Sequence, residues 1–597
     1  MKTYTYDCVV IGTGAAGYNA ACRLQEWGKK VVVITEGVKD GTSRNTGSDK
    51  QTYYKLGLGG DAPDSVRQMA QNLFDGGCVD GDDALCEAAL SSRCFLHLCE
   101  LGVPFPVNRY GEYIGYKTDH DPFARATSAG PLTSKFMTEA LEREAERLNV
   151  EVKDGLLAVE ILTEKEAVCG LLCIEKATGE PVAFRCADIV MATGGPAGIY
   201  ADSVYPECHT GMTSLALLAG AAAQNLTEWQ YGLSSIAPRW NVSGTYMQVL
   251  PRLVSVDENG TEHEFLTEYF DDPYEALSTL FLKGYQWPFD PKKAENGSSR
   301  IDLMVHRERV EKNRRVYLDF TKNPFDWEEI DYTRLSEEAR EYLQKAGACF
   351  GRPIERLLKM NAPAIDLYRD KGVDITTEYL EIALCAQHHN GGVAVDLWWQ
   401  TTVPGLYAAG ECAGTHGIAR PGGSALNAGQ VGSLRAAQHI LHHPGRLVDE
   451  ELFAKILQKN DTEALGKLIK KDDNIEEQTL RARRRMSDFA AAVRDPDGMK
   501  KALKAATEEL QNLSEIASVS DRRNLYRYFK LRDTLVTQCA VLTAMLEGKA
   551  NDPGRIQQTV LKNGEFCCSY RPVRPIPDGD DFFENVWRGY RENENVF

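Results

Sequence analysis

Residues Tyr6–Gly17 read YDCVVIGTGAAG, an apolar run of strand length that breaks directly into a glycine-spaced turn. The amphipathic stretch YNAACRLQEWG comes next, and then KKVVVIT. Together they make a strand, turn, helix and strand, the setting in which a G-x-G-x-x-G spacing becomes specific for a dinucleotide. Gly12 permits the tight turn, Gly14 lets the backbone approach a pyrophosphate, and Gly17 lets the helix pack closely on the strand. Ala15 and Ala16 complete the turn, so free N–H groups at a helix N-terminus face the phosphates. An acidic residue at the end of the second strand normally binds the ribose hydroxyls. Thr35 and Glu36 both occupy that place, and Glu36 is preferred.

Two later segments decide which dinucleotide. Ala187–Gly195, ADIVMATGG, is an apolar strand ending in a second glycine pair, with Thr193 and Gly194 as contacts. Thr401–Glu411, TTVPGLYAAGE, is a strand ending in Gly410 and Glu411, the latter a candidate acceptor for ribityl hydroxyls. One cofactor touched by three distant segments is the pattern of FAD rather than NAD. The fold class expected is α/β, with a doubly wound Rossmann-like FAD domain.

A chain of 597 residues exceeds one hydrophobic core. With 43% hydrophobic and 26% charged residues it has a globular composition. A net charge of -18 and a pI near 5.3 exclude nucleic acid or anionic lipid as a main partner, since both require a basic face. No apolar run is long enough to span a membrane, and the N-terminus enters a strand pattern without a leader. The 16 cysteines are scattered through apparent core segments, which points to reduced thiols in a cytoplasmic protein. Cys169 with Cys173, and Cys567 with Cys568, match no zinc or iron–sulfur spacing and are expected as packed or surface thiols. No metal is expected.

Three stretches together resemble the flavoprotein subunit family of fumarate reductase and succinate dehydrogenase, which includes L-aspartate oxidase. They are DCVVIGTGAAGYNAACRLQEWGKKVVVIT at the start, MATGG with TGMTSLALLAGAAAQNLTEWQ in the middle, and HHNGGVAVDLWWQTTVPGLYAAGECAGTHGIARPGGSAL later. The resemblance implies an FAD domain at residues 1–235 and 381–445, an inserted α+β capping domain at 236–380, and a helical domain with an extended tail at 446–597. It also implies a substrate held between flavin and cap.

By that resemblance His388 contacts substrate, and strand alternation then sends its neighbour His389 into the core. Arg420 in HGIAR takes the place of an arginine that clamps a carboxylate, a task suited to the guanidinium fork. His416 opens the same turn. PGGSAL begins a helix whose N-terminus faces the electron-rich edge of the flavin, with Ser424 and Leu426 as contacts. The departures are equally informative. Glu228–Ser235, EWQYGLSS, lacks the histidine of the family's dicarboxylate receptor, and the cap's arginine proton donor is not found. Lys283 and Tyr285 are the cap candidates for proton transfer. Trp229, Tyr231, Tyr285 and Trp287 either pack the core or shape a site for a larger, flatter substrate. The loop GTSRNTGSDKQ offers Asn45 where tethering members carry histidine, so FAD is expected to be noncovalent. Asp119, His120, Asp121 and Arg125 either line the site or belong to a polar loop.

The reading is an FAD-dependent oxidoreductase that reduces an activated C=C bond of a non-dicarboxylate enoate or enone, or runs the reverse reaction. The alternatives are an oxidase resembling L-aspartate oxidase and an electron-transfer subunit of a complex. No second nucleotide fingerprint, iron–sulfur cluster or haem motif is found. The expected partners are therefore an unsaturated acid or carbonyl substrate and a separate electron donor or acceptor, such as a partner protein.

Overall fold

The computed structural model describes residues 1–60, 63–118, 120–459, 464–548 and 552–578. Its centre is a parallel five-stranded sheet in the order Leu406–Ala408, Asp188–Met191, Cys8–Ile11, Val31–Ile34, Glu151–Lys153. Cys8 pairs with Val31 on one side and Asp188 on the other. The three inner strands are fully buried, which is why they read as continuous apolar runs rather than alternating ones.

Helices Ala15–Glu26 and Ser424–His442 lie side by side, joined near their first turns by side-chain hydrogen bonds. Asn19 donates to the Gln430 carbonyl at 3.0 Å, Gln430 to the Ala15 carbonyl at 3.1 Å, and Ser433 to the Ala16 carbonyl at 2.7 Å. Residues separated by four hundred positions thus place two helix N-termini at the same end of the sheet. That is where ligands bind in doubly wound folds. A methyl group on Gly17 would stand 2.0 Å from the Gly12 carbonyl oxygen, so the close packing expected of Gly17 is present.

A six-stranded antiparallel sheet covers this end, in the order Arg239–Asn241, Trp229–Ile236, Leu380–His389, Arg315–Asp319, Arg252–Val256, Glu262–His263. The domain boundaries expected at 235/236 and 380/381 fall inside two of its strands. Trp229–Ile236 and Leu380–His389 enter and leave the inserted segment as a hydrogen-bonded pair, so both boundaries cut one continuous sheet. A further sheet joins Leu156–Glu164, Ala167–Glu175, Pro181–Arg185 and Lys2–Thr5. Cys169 and Cys173 are buried in it.

Helices Ile475–Phe489, Pro496–Gln511 and Leu525–Glu547 form the C-terminal part. The extended arm expected from Ser569 onward begins inside a hairpin. Arg555–Lys562 and Glu565–Pro572 form a hairpin that pairs with Ala223–Gln224. Asn563 and Gly564 turn it with φ of 51° and 84°, the left-handed conformation that a two-residue hairpin turn needs. Arg571 then pairs with Asp80 at 2.6 Å and Arg574 with Asp82 at 2.8 Å, which fixes the chain past the hairpin. The last part of the expected arm, 579–597, lies outside the described residues. Among the described residues no helix is long and apolar enough to cross a membrane.

Candidate active site

A groove with two lobes runs along the carboxyl end of the parallel sheet. The smaller lobe, about 120 Å³, is lined by Gly12, Thr35, Glu36, Thr193 and Gly194 among others. The larger, about 580 Å³, is lined by Ala15, Ala16, Gly410, Glu411, Leu426, His388 and Arg420, with cap residues opposite. Gly14, Thr42, Ser43, Ala192 and Gly194 line both lobes, so the two are ends of one groove crossing the glycine turn.

The groove suits an elongated anionic dinucleotide. Helix Ala15–Glu26 begins at Gly14 and helix Ser424–His442 at Gly423, each without a side-chain cap or an acidic residue in its first turn. The Ala15 N–H reaches the Ser43 hydroxyl at 3.4 Å, and those of Ser424 and Leu426, the contacts expected from the sequence, are taken by the carbonyls of Pro421 and Gly423 at 3.1 and 3.2 Å. The first-turn N–H groups presented to negative charge are therefore those of Ala16, Gly17 and Ala425. Buried hydroxyls of Thr42 and Ser424 have no protein partner. Of the two ribose candidates, the Thr35 hydroxyl lies 3.1 Å from that of Thr13, whereas Glu36 pairs with Lys530 at 2.5 Å and Lys176 at 3.8 Å.

A family model described as FAD binding domain matches residues 7–426. The chain belongs to this family. Within it, a fumarate reductase (CoM/CoB) subunit of Methanothermobacter marburgensis is 25% identical over 474 residues, covering 76% of this chain and 77% of that protein. L-aspartate oxidase of Mesorhizobium japonicum is 24% identical over 431 residues, covering 70% and 71%. Among solved structures, Sdh1 of Mycobacterium smegmatis in complex with UQ1 superposes with a TM-score of 0.73 at 18% identity, covering 100% and 98%. The chain is an FAD-dependent oxidoreductase of the fumarate reductase and aspartate oxidase kind, and its cofactor is FAD.

His388 and Arg420 face the larger lobe together. Strand Leu380–His389 carries an irregularity opposite Gln230 and Tyr231, where Gln387 is the extra residue. The bulge turns both Gln387 and His388 to the cavity. His389 packs on Trp229 with ring centroids 4.0 Å apart, buried as alternation expects. His388 differs from the expectation of a free substrate donor, because both ring nitrogens are engaged. Nδ1 lies 3.1 Å from Glu411 and Nε2 lies 3.1 Å from Nδ1 of His416. Burial, with Arg420 nearby, drives the His388 imidazole well below its ordinary pKa, and burial holds His416 down to about 3. Burial likewise raises Glu411 to about 7. The contact between His388 and Glu411 is accordingly a hydrogen bond between groups pressed toward neutrality, not a strong ion pair.

A raised carboxyl stabilises the fold below its unfolded pKa and loses that contribution as pH rises through the folded value. In apoprotein, the Glu411 contribution should fall between pH 4.5 and about 7. Urea midpoints of apo wild type and Glu411→Gln across that range should therefore converge or cross as pH rises. Parallel curves would count against the shift.

Arg420 donates from Nη2 to the Gln230 side-chain oxygen at 2.7 Å, while its buried Nε–H has no partner. Burial pulls the guanidinium down to about 10. Gln230 was missed in the sequence. It stands directly across from His388 in the strand pair, and only that register brings it to Arg420.

The cap candidates separate. Tyr285 lines the cavity and its hydroxyl donates to Glu338. Lys283 does not line it and is corrected to a structural cation, fully buried in an ion pair with Asp302 at 2.6 Å. Trp287 lines the cavity, whereas Tyr231 is buried and hydrogen-bonded to Tyr200 at 3.1 Å. Arg125 is also structural, fully buried and held by Asp64, Asn72 and Tyr54, and Asp121 belongs to the same network. His120 reaches the cavity, and Asp119 lies outside the described residues. Asn45 donates to the carbonyls of Lys39 and Gly41. Replacing Lys283 with Ala strands a buried carboxylate, so thermal or denaturant unfolding should show a loss of about 3–5 kcal/mol.

Proposed function

We propose that this flavoprotein reduces an activated C=C bond conjugated to a carboxylate or carbonyl, or runs the reverse dehydrogenation. FAD, held noncovalently along the groove, supplies the hydride chemistry when bound. The observation that carries the reading is Arg420, a half-buried cation on the cavity wall whose hydrogen-bond partner is a neutral amide and whose buried Nε–H is unmet. Such a group is costly to bury unless an anion or polarised oxygen completes it. Arg420 therefore grips the substrate carboxylate, and Gln230 fixes the plane of the guanidinium. That grip withdraws electrons from the double bond and presents its far carbon to the cofactor.

His388 lies on the same wall, hydrogen-bonded to Glu411 and His416, and keeps the carboxyl of Glu411 oriented along the groove. Gly410 and Glu411 on one side and the start of helix Ser424–His442 on the other hold the middle of the cofactor. Glu36, Thr35, Thr193 and Gly194 hold its adenosine end. Proton delivery falls to Tyr285, the cap candidate that reaches the cavity. Tyr285→Phe should lower kcat by about 10²–10⁴-fold with little change in KM, as expected for loss of a general acid; an unchanged kcat would remove Tyr285 from that role.

The substrate is not a four-carbon dicarboxylate, because strand Trp229–Ile236 offers Gln230 where a second carboxylate would need a basic group. Electrons come from a separate donor. The relative named a fumarate reductase subunit supports a partner chain in that role. Similarity to L-aspartate oxidase supports a second reading, oxidation with oxygen as acceptor. Anaerobically reduced protein mixed with enoates, enones or air separates the two. Reoxidation by an enoate faster than by air supports reduction, and the opposite order supports the oxidase.

A further inference from the structure

We infer that the larger lobe carries a second anion subsite, formed by Lys50, Lys117 and His120 at the cavity mouth, that selects elongated dianionic substrates. The inference rests on the proposed function and names its substrate class. All three residues line the same cavity as Arg420 and are exposed at its rim. Neither lysine forms an ion pair among the described residues. In a chain of net charge -18, a basic rim at the entrance of one cavity focuses anions there.

The rim is built rather than incidental. Lys50 places its ammonium 3.8 Å from the ring centroid of Tyr116. The Tyr116 hydroxyl lies 2.8 Å from that of Thr52. Thr118 donates to the Gly422 carbonyl at 3.3 Å, which ties this segment to the turn bearing Arg420. His120 feels Lys292, Lys293 and Arg420 as well as Asp290. Asp49, the other carboxyl beside Lys50, is occupied by the Thr245 N–H at 3.0 Å and hydroxyl at 3.4 Å. Asp290 accepts from the Lys292 N–H at 2.9 Å.

Tyr116, Tyr285, Trp287 and Tyr342 line the same cavity, faces suited to a flat apolar spacer. The fitting ligand has one carboxylate at Arg420, an aromatic or conjugated middle, and a second anionic group at the mouth. The second charge is thus received on the segments bearing Lys50, Lys117 and His120, not on strand Trp229–Ile236.

The test uses unreactive ligands on oxidised holoenzyme, so that it does not depend on turnover. Phenylpropionate and 3-(4-carboxyphenyl)propionate are titrated against the flavin absorbance of wild type and of Lys50→Ala/Lys117→Ala. Wild type should favour the dianion by about tenfold, a preference that weakens with salt. In the double variant the preference should fall to near unity, and Arg420→Ala should weaken both ligands. Equal binding of the two ligands by wild type, binding of neither, or a preference that survives the double substitution overturns the subsite. If the preference is found and yet no enoate reoxidises reduced protein, the subsite stands and the proposed reaction fails.

Discussion

Arg420→Ala abolishes reoxidation of the reduced protein by its acceptor while FAD stays bound. The expected loss in kcat/KM is about three orders of magnitude, because a desolvated charge that grips the substrate is removed and Gln230 is left without its donor. Flavin absorbance and the protein-to-FAD ratio should match wild type, since the cofactor is held by the glycine turn, the start of helix Ser424–His442 and the smaller lobe rather than by Arg420. Arg420→Lys should recover only part of the rate, because a point charge replaces a fork that can grip two oxygens at once. Stopped-flow reoxidation with each variant checks this. A rate in Arg420→Ala within a few fold of wild type would take Arg420 out of the site.

The second large effect is loss of the cofactor. Gly17→Ala puts a methyl group 2.0 Å from the Gly12 carbonyl oxygen and 3.4 Å from the Ala192 side chain. Gly12 belongs to the turn that approaches the phosphates and Ala192 follows the neighbouring strand Asp188–Met191, so the helix must move away from both. The clash costs about 1–3 kcal/mol or more in stability and displaces the N–H groups aimed at the pyrophosphate. Purified Gly17→Ala should be largely apoprotein with a lowered melting temperature. Gly466→Ala, where an added methyl meets nothing within 4 Å, should keep both FAD and stability.

The sequence was most legible where the determinants are local. The turn from Gly12 to Gly17 is written in consecutive residues, and the structure shows the tight contact that excludes side chains there. Once the resemblance places His388 at the site, the burial of His389 follows from strand alternation. Gln230 was not legible, because its meeting with Arg420 depends on the register of two strands far apart in sequence. Lys283 and Tyr285 are close in sequence, yet one is fully buried against Asp302 and the other opens to the cavity. That difference is set by the turn after helix Pro273–Lys283, which no periodicity encodes. The engaged nitrogens of His388 were hidden for the same reason, since Glu411 and His416 arrive from a different segment. The C-terminal hairpin is another matter. Asn563–Gly564 between alternating residues is a strong turn signal that the reading of helices followed by an extended tail did not use.

The most direct test of hydride and proton addition across a conjugated double bond is a single turnover in D2O. Protein photoreduced without oxygen and mixed with 4-carboxycinnamate should reoxidise its flavin. It should also release a stoichiometric amount of the saturated acid, bearing deuterium at both former alkene carbons. Flavin reoxidation with the acid recovered unchanged, or no reoxidation beyond buffer by this or any other enoate or enone, would contradict the account.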